Sequence, residues 1–420
     1  MKAVLLLAFK SAWARRLTLG ITLCAIALAS ALLLAVERVR HDARQSFTQS
    51  ASGVDLVVGA RGSGVQLMLH AVFHSGAATH NMRWDSYATL AADPAVEWAL
   101  PLALGDSHHG FAVLGTSAEY FSRYRHGDRQ PLVFAAGQAF GQVFEAVVGS
   151  EVAARLDYRV GDRITLTHGA DDSGHADHED KPFSVIGVLA PTGTPVDRTV
   201  HVSLEAITAL HLDWVGGAPL PGLSIPAEHV RKFDLRPREI TAVLIGLKNR
   251  AEVFRIQRHI NESSGEPLMA VMPGVALDEL WRTLATVERT LFAISALVVA
   301  VGLAGLMATM LAGLNERRRE LAILRALGAG PGEIFLMLIA EGLLITLLGV
   351  LGGCILLGAG ILVLAPLLQA HFGVHVTWRA FSSNEIVLLS SIVATGLAAS
   401  LVPGWRAWRM SLADGLTPRT

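Results

Sequence analysis

Two stretches carry residue types and spacings that chemistry can use. The first is His168-Gly-Ala-Asp-Asp-Ser-Gly-His-Ala-Asp-His-Glu-Asp-Lys, with a second pair at His108-His109. His175 and His178 stand among Asp171, Asp172, Asp177, Glu179 and Asp180. Neutral imidazole beside carboxylate suits zinc or a similar borderline cation. His168, His175, His178, Asp177, His108 and His109 are therefore the candidate ligands, with zinc as the candidate ion. The same composition also suits a solvated loop whose polar residues serve solubility, because a His-rich tract is compositional evidence only. The second stretch is 315–330, Asn-Glu-Arg-Arg-Arg-Glu-Leu-Ala-Ile-Leu-Arg-Ala-Leu-Gly-Ala-Gly. It is helix-prone, it is basic, and long apolar runs flank it.

Catalytic chemistry finds less support. Ser107 precedes His108, yet no pattern places a nucleophile, a base and an orienting group together. Gly-x-Ser-x-Gly is absent. So is the phosphate-cradling GxxxxGK[ST] loop, since no Gly-Lys pair occurs anywhere. A formal net charge of −1 gives no footing for nucleic acid. Both cysteines, Cys24 and Cys354, lie in apolar runs, so the large polar region folds without disulfides.

The elements that must position these residues follow from hydropathy. Of the 420 residues, 52% are hydrophobic and 17% charged, where soluble domains carry about 25% charged. A bilayer core of about 30 Å needs about 20 apolar residues in a helix. Four segments qualify: 17–36, 291–314, 334–368 and 386–402. Lys2, Lys10, Arg15 and Arg16 precede the first, Arg317, Arg318, Arg319 and Arg325 follow the second, and Arg406 and Arg409 follow the fourth. Cytoplasmic flanks carry the excess of Lys and Arg. This puts the N- and C-termini and the 315–333 loop inside, and 37–290 and the short 369–385 loop outside. All 16 histidines fall in those two outside regions. Residues 1–31 also have the outline of a signal peptide ending at Ala29-Ser30-Ala31. The length of the apolar run and the helix-compatible stretch after it favour a retained span instead.

The remaining segments complete the plan. Residues 1–16 read as an interfacial amphipathic helix. Segments 37–47 and 276–290 are helix-compatible and polar, and form a two-helix stalk. Between them, 48–275 alternates strand-like runs (54–58, 111–114, 145–148, 163–167, 183–189, 199–202, 240–245) with helix-like ones (84–92, 150–156, 204–210, 251–263), an α+β domain. Segment 213–239, with four prolines, reads as an irregular loop. The tail is 403–420. Gly349 and Gly353 make a GxxxG pair that allows close helix packing, either within the chain or between two chains. In 316–327, Leu321, Leu324 and Leu327, with Ile323, can pack on one side. Arg317, Arg318 and Arg319 can stay in water or engage acidic groups and lipid phosphates. Glu316 and Glu320 suit the helix start, and Gly328, Gly330 and Pro331 end the helix.

Four motifs carry a resemblance. Glu316-Arg-Arg-Arg-Glu-Leu-Ala-Ile-Leu-Arg-Ala-Leu-Gly-Ala looks like the cytoplasmic signature of MacB/FtsX/LolC-type permeases, the mechanotransmission class of ABC transporters. Gly53-Val-Asp-Leu-Val-Val-Gly-Ala-Arg-Gly-Ser is similar to the start of their periplasmic core domain, and Val148-Gly-Ser-Glu-Val-Ala with Val160-Gly-Asp-Arg-Ile resembles a recurring turn and strand within it. Pro403-Gly-Trp-Arg-Ala-Trp-Arg-Met-Ser-Leu-Ala-Asp-Gly-Leu looks like their C-terminal tail.

The resemblance implies a four-span inner-membrane permease with a large periplasmic α+β domain. It implies a paired second permease chain (a homodimer) and a separate ABC ATP-binding subunit that carries ATP and Mg, with no cofactor on this chain. A periplasmic adaptor or substrate-binding protein, and membrane lipid, are further expected partners. ATP-driven closure then pushes Glu316, Arg317, Arg318, Arg319, Glu320, Leu321, Leu324, Arg325, Leu327 and Gly328, and the periplasmic domain moves. The outcome is export or extraction of an envelope substrate, with a link to metal handling if the His-rich loop binds zinc. The alternative is an FtsX-like signal transmitter that regulates a periplasmic enzyme or envelope factor. The size of the outside domain favours the MacB/LolC side.

Overall fold

The structure is a computed structural model that describes residues 16–76, 80–169, 178, 180–215, 218–220, 225–372 and 379–409. The predicted helix at 1–16 and the 403–420 tail therefore fall mostly outside the described residues. The chain divides into two compact units, residues 44–283 and residues 1–43 with 284–420.

In chain order, α1 (Arg16–Ser50) comes first. The outside unit then runs β1 (Leu56–Ala60), α2 (Gly64–Ala71), α3 (Trp84–Ala91), β2 (Val96–His108), β3 (Phe111–Thr116), β4 (Phe134–Gly137) and β5 (Glu145–Val148). It continues through α4 (Ser150–Leu156), β6 (Arg163–Ile164), β7 (Thr167–His168), β8 (Phe183–Leu189), β9 (Thr199–Ser203), α5 (Leu204–Leu210), β10 (Ala242–Leu247), α6 (Val253–Glu262) and β11 (Leu268–Val271). The eleven strands form one sheet in the order β11-β1-β10-β2-β3-β9-β5-β8-β4, with β7 on β2 and β6 on β8. The β3–β9 and β5–β8 pairs are parallel and the other pairs antiparallel.

Sequence pattern explains these elements. Strand β8 reads Phe-Ser-Val-Ile-Gly-Val-Leu, and its burial alternates residue by residue, as a strand with one face on a core must. Strand β9 is buried at all five positions, as a central strand flanked by β3 and β5. Helix α6 buries Ile256 and Ile260, four residues apart, and leaves its charged residues outward. Ser63 and Ser203 cap α2 and α5 by accepting from the amides of Gln66 and Ala206. Helix α4 ends at Asp157, whose φ of 52° is left-handed, a conformation Asp tolerates better than most.

Strand β2 carries Asp106 near its end. It has 13 residues, and its pairing with β3 slips between Leu104 and Ser107. Its first half pairs with β10 and its last residues pair with β7, where Asp106 faces His168. The sequence pattern at 163–167 predicts one strand; two short ones, β6 and β7, stand there instead. Segment 213–239 is less irregular than its prolines imply. It holds a small hairpin (Trp214–Val215 with Ala218–Pro219) and a helical turn at Ala227–Lys232.

The other unit contains α7 (Pro273–Glu316), α8 (Arg318–Ala326), α9 (Pro331–Phe372) and α10 (Ser383–Arg409), beside α1. Among the described residues, four helices are long and apolar enough to cross a membrane, in α1, α7, α9 and α10. The stretches predicted as stalk helices, 37–47 and 276–290, are parts of α1 and α7 rather than separate elements. Gly349 and Gly353 pack α9 against α1. A Cβ on Gly353 would lie 2.7 Å from Ser30 Cβ, and one on Gly349 2.6 Å from Ile26 Cγ2. The GxxxG pair thus serves the chain's own bundle.

At one end of α1, buried charges are matched to one another. Arg38 Nε lies 3.3 Å from Glu385, and Arg379 lies 3.1 Å from Asp42 and 3.5 Å from Glu385. Ser382 and Glu385 also cap α10 reciprocally: the Ser382 hydroxyl accepts from the Glu385 amide and the Glu385 carboxylate from the Ser382 amide.

Candidate functional site

The basic segment between α7 and α9 is a short helix held at both ends. Arg317 leaves the helical region at φ −90°, ψ 6°, which breaks α7 from α8. Its guanidinium turns into the bundle, 3.0 Å from Glu341 of α9 and 3.9 Å from Glu320. At the other end, Ala329 N–H bonds to Leu324 O and Gly328 N–H to Arg325 O, with Gly328 at φ +100°. That is a Schellman stop, and the positive φ requires glycine. Arg325 reaches across and donates to the carbonyls of Ala407 and Trp408, at 3.3 and 3.2 Å. These carbonyls end α10, where the helix dipole favours a cation.

The faces of α8 differ from expectation. Leu321 and Leu324 pack into the bundle core with Leu314, Ile334 and Ala407. Ile323 and Leu327 do not join them; they are 58% and 81% exposed. With Glu320, also exposed, they occupy one stripe at spacings of three and four. Glu316 is exposed at the end of α7. The side chains of Arg318 and Arg319 lie outside the described residues.

The second site is in the outside unit. Asp106, His168, His178 and His211 bring one ligand atom each to within 4.8 Å of all the others. Asp106 sits near the end of β2, His168 opposite it on β7, and His211 at the end of α5. His178 is fixed by its backbone, whose N–H donates to Leu166 O. His168 Nδ1 lies 3.1 Å from Asp106 Oδ1, His211 Nε2 3.6 Å from the same oxygen, and the two ring nitrogens 3.0 Å apart. His211 Nδ1 lies 2.8 Å from Ile207 O and donates to it. His178 is 1% exposed, and its Nε2 has no hydrogen-bond partner.

Trp214 lies against three of the rings, with centroids 5.0, 4.6 and 5.8 Å from His168, His178 and His211. Behind them, fully buried Lys181 pairs with Asp213 at 2.7 Å. Burial drives the Asp106 carboxyl up, but hydrogen bonds from His168 and His211 outweigh it and hold the group at about 2. Burial lowers His178 to about 4. His211 is raised, since its bond to Asp106 overcomes the burial that would lower it.

Of the sequence-predicted ligands, His168 and His178 meet in this cluster. His108 and His109 do not. The His108 ring lies between Thr165 O, 2.6 Å from Nδ1, and the Tyr158 hydroxyl, 2.9 Å from Nε2. His109 is exposed at a positive φ. His175 and Asp177 lie outside the described residues. Asp106 and His211 are members of the cluster that spacing does not reveal. Asp106 is two residues from His108, and His211 follows an ordinary helix as a single histidine.

Four membrane-length helices, a large α+β domain between the first and second, and a clamped amphipathic helix between the second and third define a membrane permease class. Residues 17–260 match the MacB-like periplasmic core domain model, and residues 292–412 match the FtsX-like permease C-terminal model. The chain belongs to this family, the MacB/FtsX/LolC-like ABC permeases, multi-pass proteins of the bacterial inner membrane with a periplasmic domain.

Among its relatives, the macrolide export ATP-binding/permease protein MacB of Azoarcus sp. (strain BH72) is 27% identical over 54% of this chain and 32% of its own length. The pyoverdine export ATP-binding/permease protein PvdT of Pseudomonas syringae pv. tomato is 23% identical over 79% of this chain and 48% of its own. The chain thus spans a third to a half of the length of these relatives. The lipoprotein-releasing system transmembrane protein LolC of Xylella fastidiosa is 22% identical over 84% of this chain and 85% of its own. The crystal structure of the periplasmic region of MacB from Actinobacillus actinomycetemcomitans aligns with 56% of this chain and 98% of that one, at 11% identity and a TM-score of 0.33.

Proposed function

We propose that this chain is the permease subunit of an ABC transporter whose ATP-binding subunit is a separate chain. ATP hydrolysis on that subunit, with its Mg, moves α8, and the movement drives the periplasmic domain to export or extract an envelope substrate. The observation that carries this reading is the exposed stripe Glu320, Ile323 and Leu327 on a helix fixed at both ends. Two large apolar side chains turned away from their own core offer a partner a surface to bury. The clamps through Arg317 and Arg325 pass a push on that stripe to α9 and α10 rather than letting the helix unwind.

The basic residues flanking the spans support cytoplasmic termini and a cytoplasmic α8. Family membership supports two permease chains per complex, a homodimer in this reading, and a periplasmic adaptor or substrate-binding protein.

The test is co-purification of the chain with an ABC ATP-binding subunit from native membranes. Ile323→Asp with Leu327→Asp should abolish capture of that subunit and its stimulated ATPase activity, while the permease still purifies as a folded protein. Unchanged capture by the double variant overturns the assignment of α8.

A further inference from the structure

We propose that Asp106, His168, His178 and His211 form a binding site for one zinc-class divalent ion in the periplasmic domain. The inference goes beyond the permease reading and does not depend on it.

Donor chemistry comes first. Three imidazoles and one carboxylate are a zinc-type set, and a closed four-donor shell is the structural kind of site. Spacing comes second. With zinc–nitrogen bonds of about 2.0–2.1 Å, neighbouring donors of a tetrahedron stand about 3.3 Å apart. Among Asp106, His168 and His211 the separations are 3.0, 3.1 and 3.6 Å, and the His178 ligand atom lies within 4.8 Å of all three.

The third argument is hydrogen-bond accounting. His211 donates Nδ1–H to Ile207 O, so the nitrogen it turns to Asp106 and His168 is Nε2, a lone pair when the ring is neutral and a donor to Asp106 when it is protonated. A cation would take the place of that proton between Nε2, the Asp106 oxygen and His168 Nδ1. His178 Nε2 is buried and unpartnered. A buried polar atom without a partner is costly, and a cation among the four would use every lone pair at once. The Ile207 bond is also the outer support that metal-bound histidines usually have, since it fixes the tautomer and aims Nε2.

The surroundings are prepared as well. Lys181 would repel a cation, but Asp213 neutralises it at 2.7 Å and also accepts from Ile225 N–H. Trp214 covers the three rings on one side. The donors come from β2, β7, the start of the segment leading to β8, and the end of α5. A bound ion would therefore tie β2, β7 and the start of the segment leading to β8 to the end of α5.

The experiment uses the full chain in detergent after chelator treatment. Zinc sulfate titrated by calorimetry should bind one ion per chain, and zinc should raise the unfolding temperature. Cobalt(II) in its place should give the intense visible band of tetrahedral coordination. His211→Gln and Asp106→Asn should each weaken zinc binding by at least about 100-fold. His109→Gln, outside the cluster, should bind as the parent does. Should the ligand variants fail to fold, the cobalt spectrum of the parent decides: a tetrahedral band supports the site and a weak six-coordinate spectrum overturns it. Absence of zinc binding overturns it too, as does binding abolished by His175→Gln but untouched by both ligand variants.

Discussion

Helix α8 and the histidine cluster are built in opposite ways. The determinants of α8 are nearly contiguous: Arg317 to break the helix, Leu321 and Leu324 to seat it, Gly328 to stop it. The histidine centre draws on residues 106, 168, 178 and 211, which only the sheet and the end of α5 bring together. A contiguous device owes its function to local sequence and is sensitive mainly to local change. An assembled device depends on elements far from its ligands, so changes behind it propagate into it.

Lys181 gives the strongest test of that contrast. It is fully buried and pairs with Asp213 behind the histidines. Lys181→Met leaves the Asp213 carboxylate buried without its cation, which costs about 3–5 kcal/mol. Thermal unfolding of the full chain in detergent should register the loss, and zinc affinity should fall with it although no ligand has changed. Lys181→Met with Asp213→Leu should recover much of the stability. If the single variant unfolds at the parental temperature, the centre is less dependent on its support than its geometry implies.

Acid should also loosen the outside domain. His201 is fully buried on β9, and burial lowers it to about 4. The unfolded chain takes up this proton below about 6.5 and the folded chain only near 4. The unfolded state therefore binds more protons between those values, and stability falls as pH drops through that window. The full shift is worth about 3 kcal/mol. His74, lowered to about 3 by burial and by the nearby His201, acts with the same sign. The unfolding temperature of the full chain should drop between pH 7 and pH 5, and His201→Leu should flatten the drop. A flat profile in the parent would remove His201 as a source.

How far each device could be read in advance follows from the same contrast. The strands at 145–148 and 183–189 and the helices at 150–156 and 204–210 stand where the residue pattern put them. Strand β2 escaped, because Pro101 and Gly105 interrupt it and read as breakers. With β2 went Asp106, whose facing of His168 is a matter of register rather than spacing. In α8 the stop at Gly328 was legible, yet the break at Arg317 was not, since Glu316 was read as the helix start and instead closes α7, and neither were the faces. Ile323 and Leu327 are apolar and outward, and hydrophobic patterning alone assigns them inward. Apolar residues turned outward look, in sequence, like residues kept for a core.

Gly353 probes the bundle itself. Gly353→Val places a branched side chain against Ser30 and the Ala27 carbonyl, where even a Cβ would lie within 2.8 Å. Overpacking of this kind costs about 1–3 kcal/mol. Thermal stability of the purified permease should fall, while zinc binding should stay at the parental affinity, because the ligands all lie in the other unit. Loss of both together would erase the independence of the two devices.

The smallest structural effect belongs to Arg325, and it separates stability from coupling. Its guanidinium donates to Ala407 and Trp408 at the end of α10. A cation at a helix C-terminus is worth about 0.3–1 kcal/mol, so Arg325→Gln should shift the unfolding temperature of the permease by little. Gln keeps a donor but loses the charge and the forked reach, and the link from α8 to α10 slackens. In the reconstituted complex the ATP-binding subunit should still dock, because Ile323 and Leu327 remain outward. Its hydrolysis should no longer be matched by transport or by periplasmic movement, read as accessibility of a labelled site in the outside domain. If docking is lost along with movement, Arg325 belongs to the docking surface. If movement persists at the parental rate, the push travels through Arg317 and Glu341 alone.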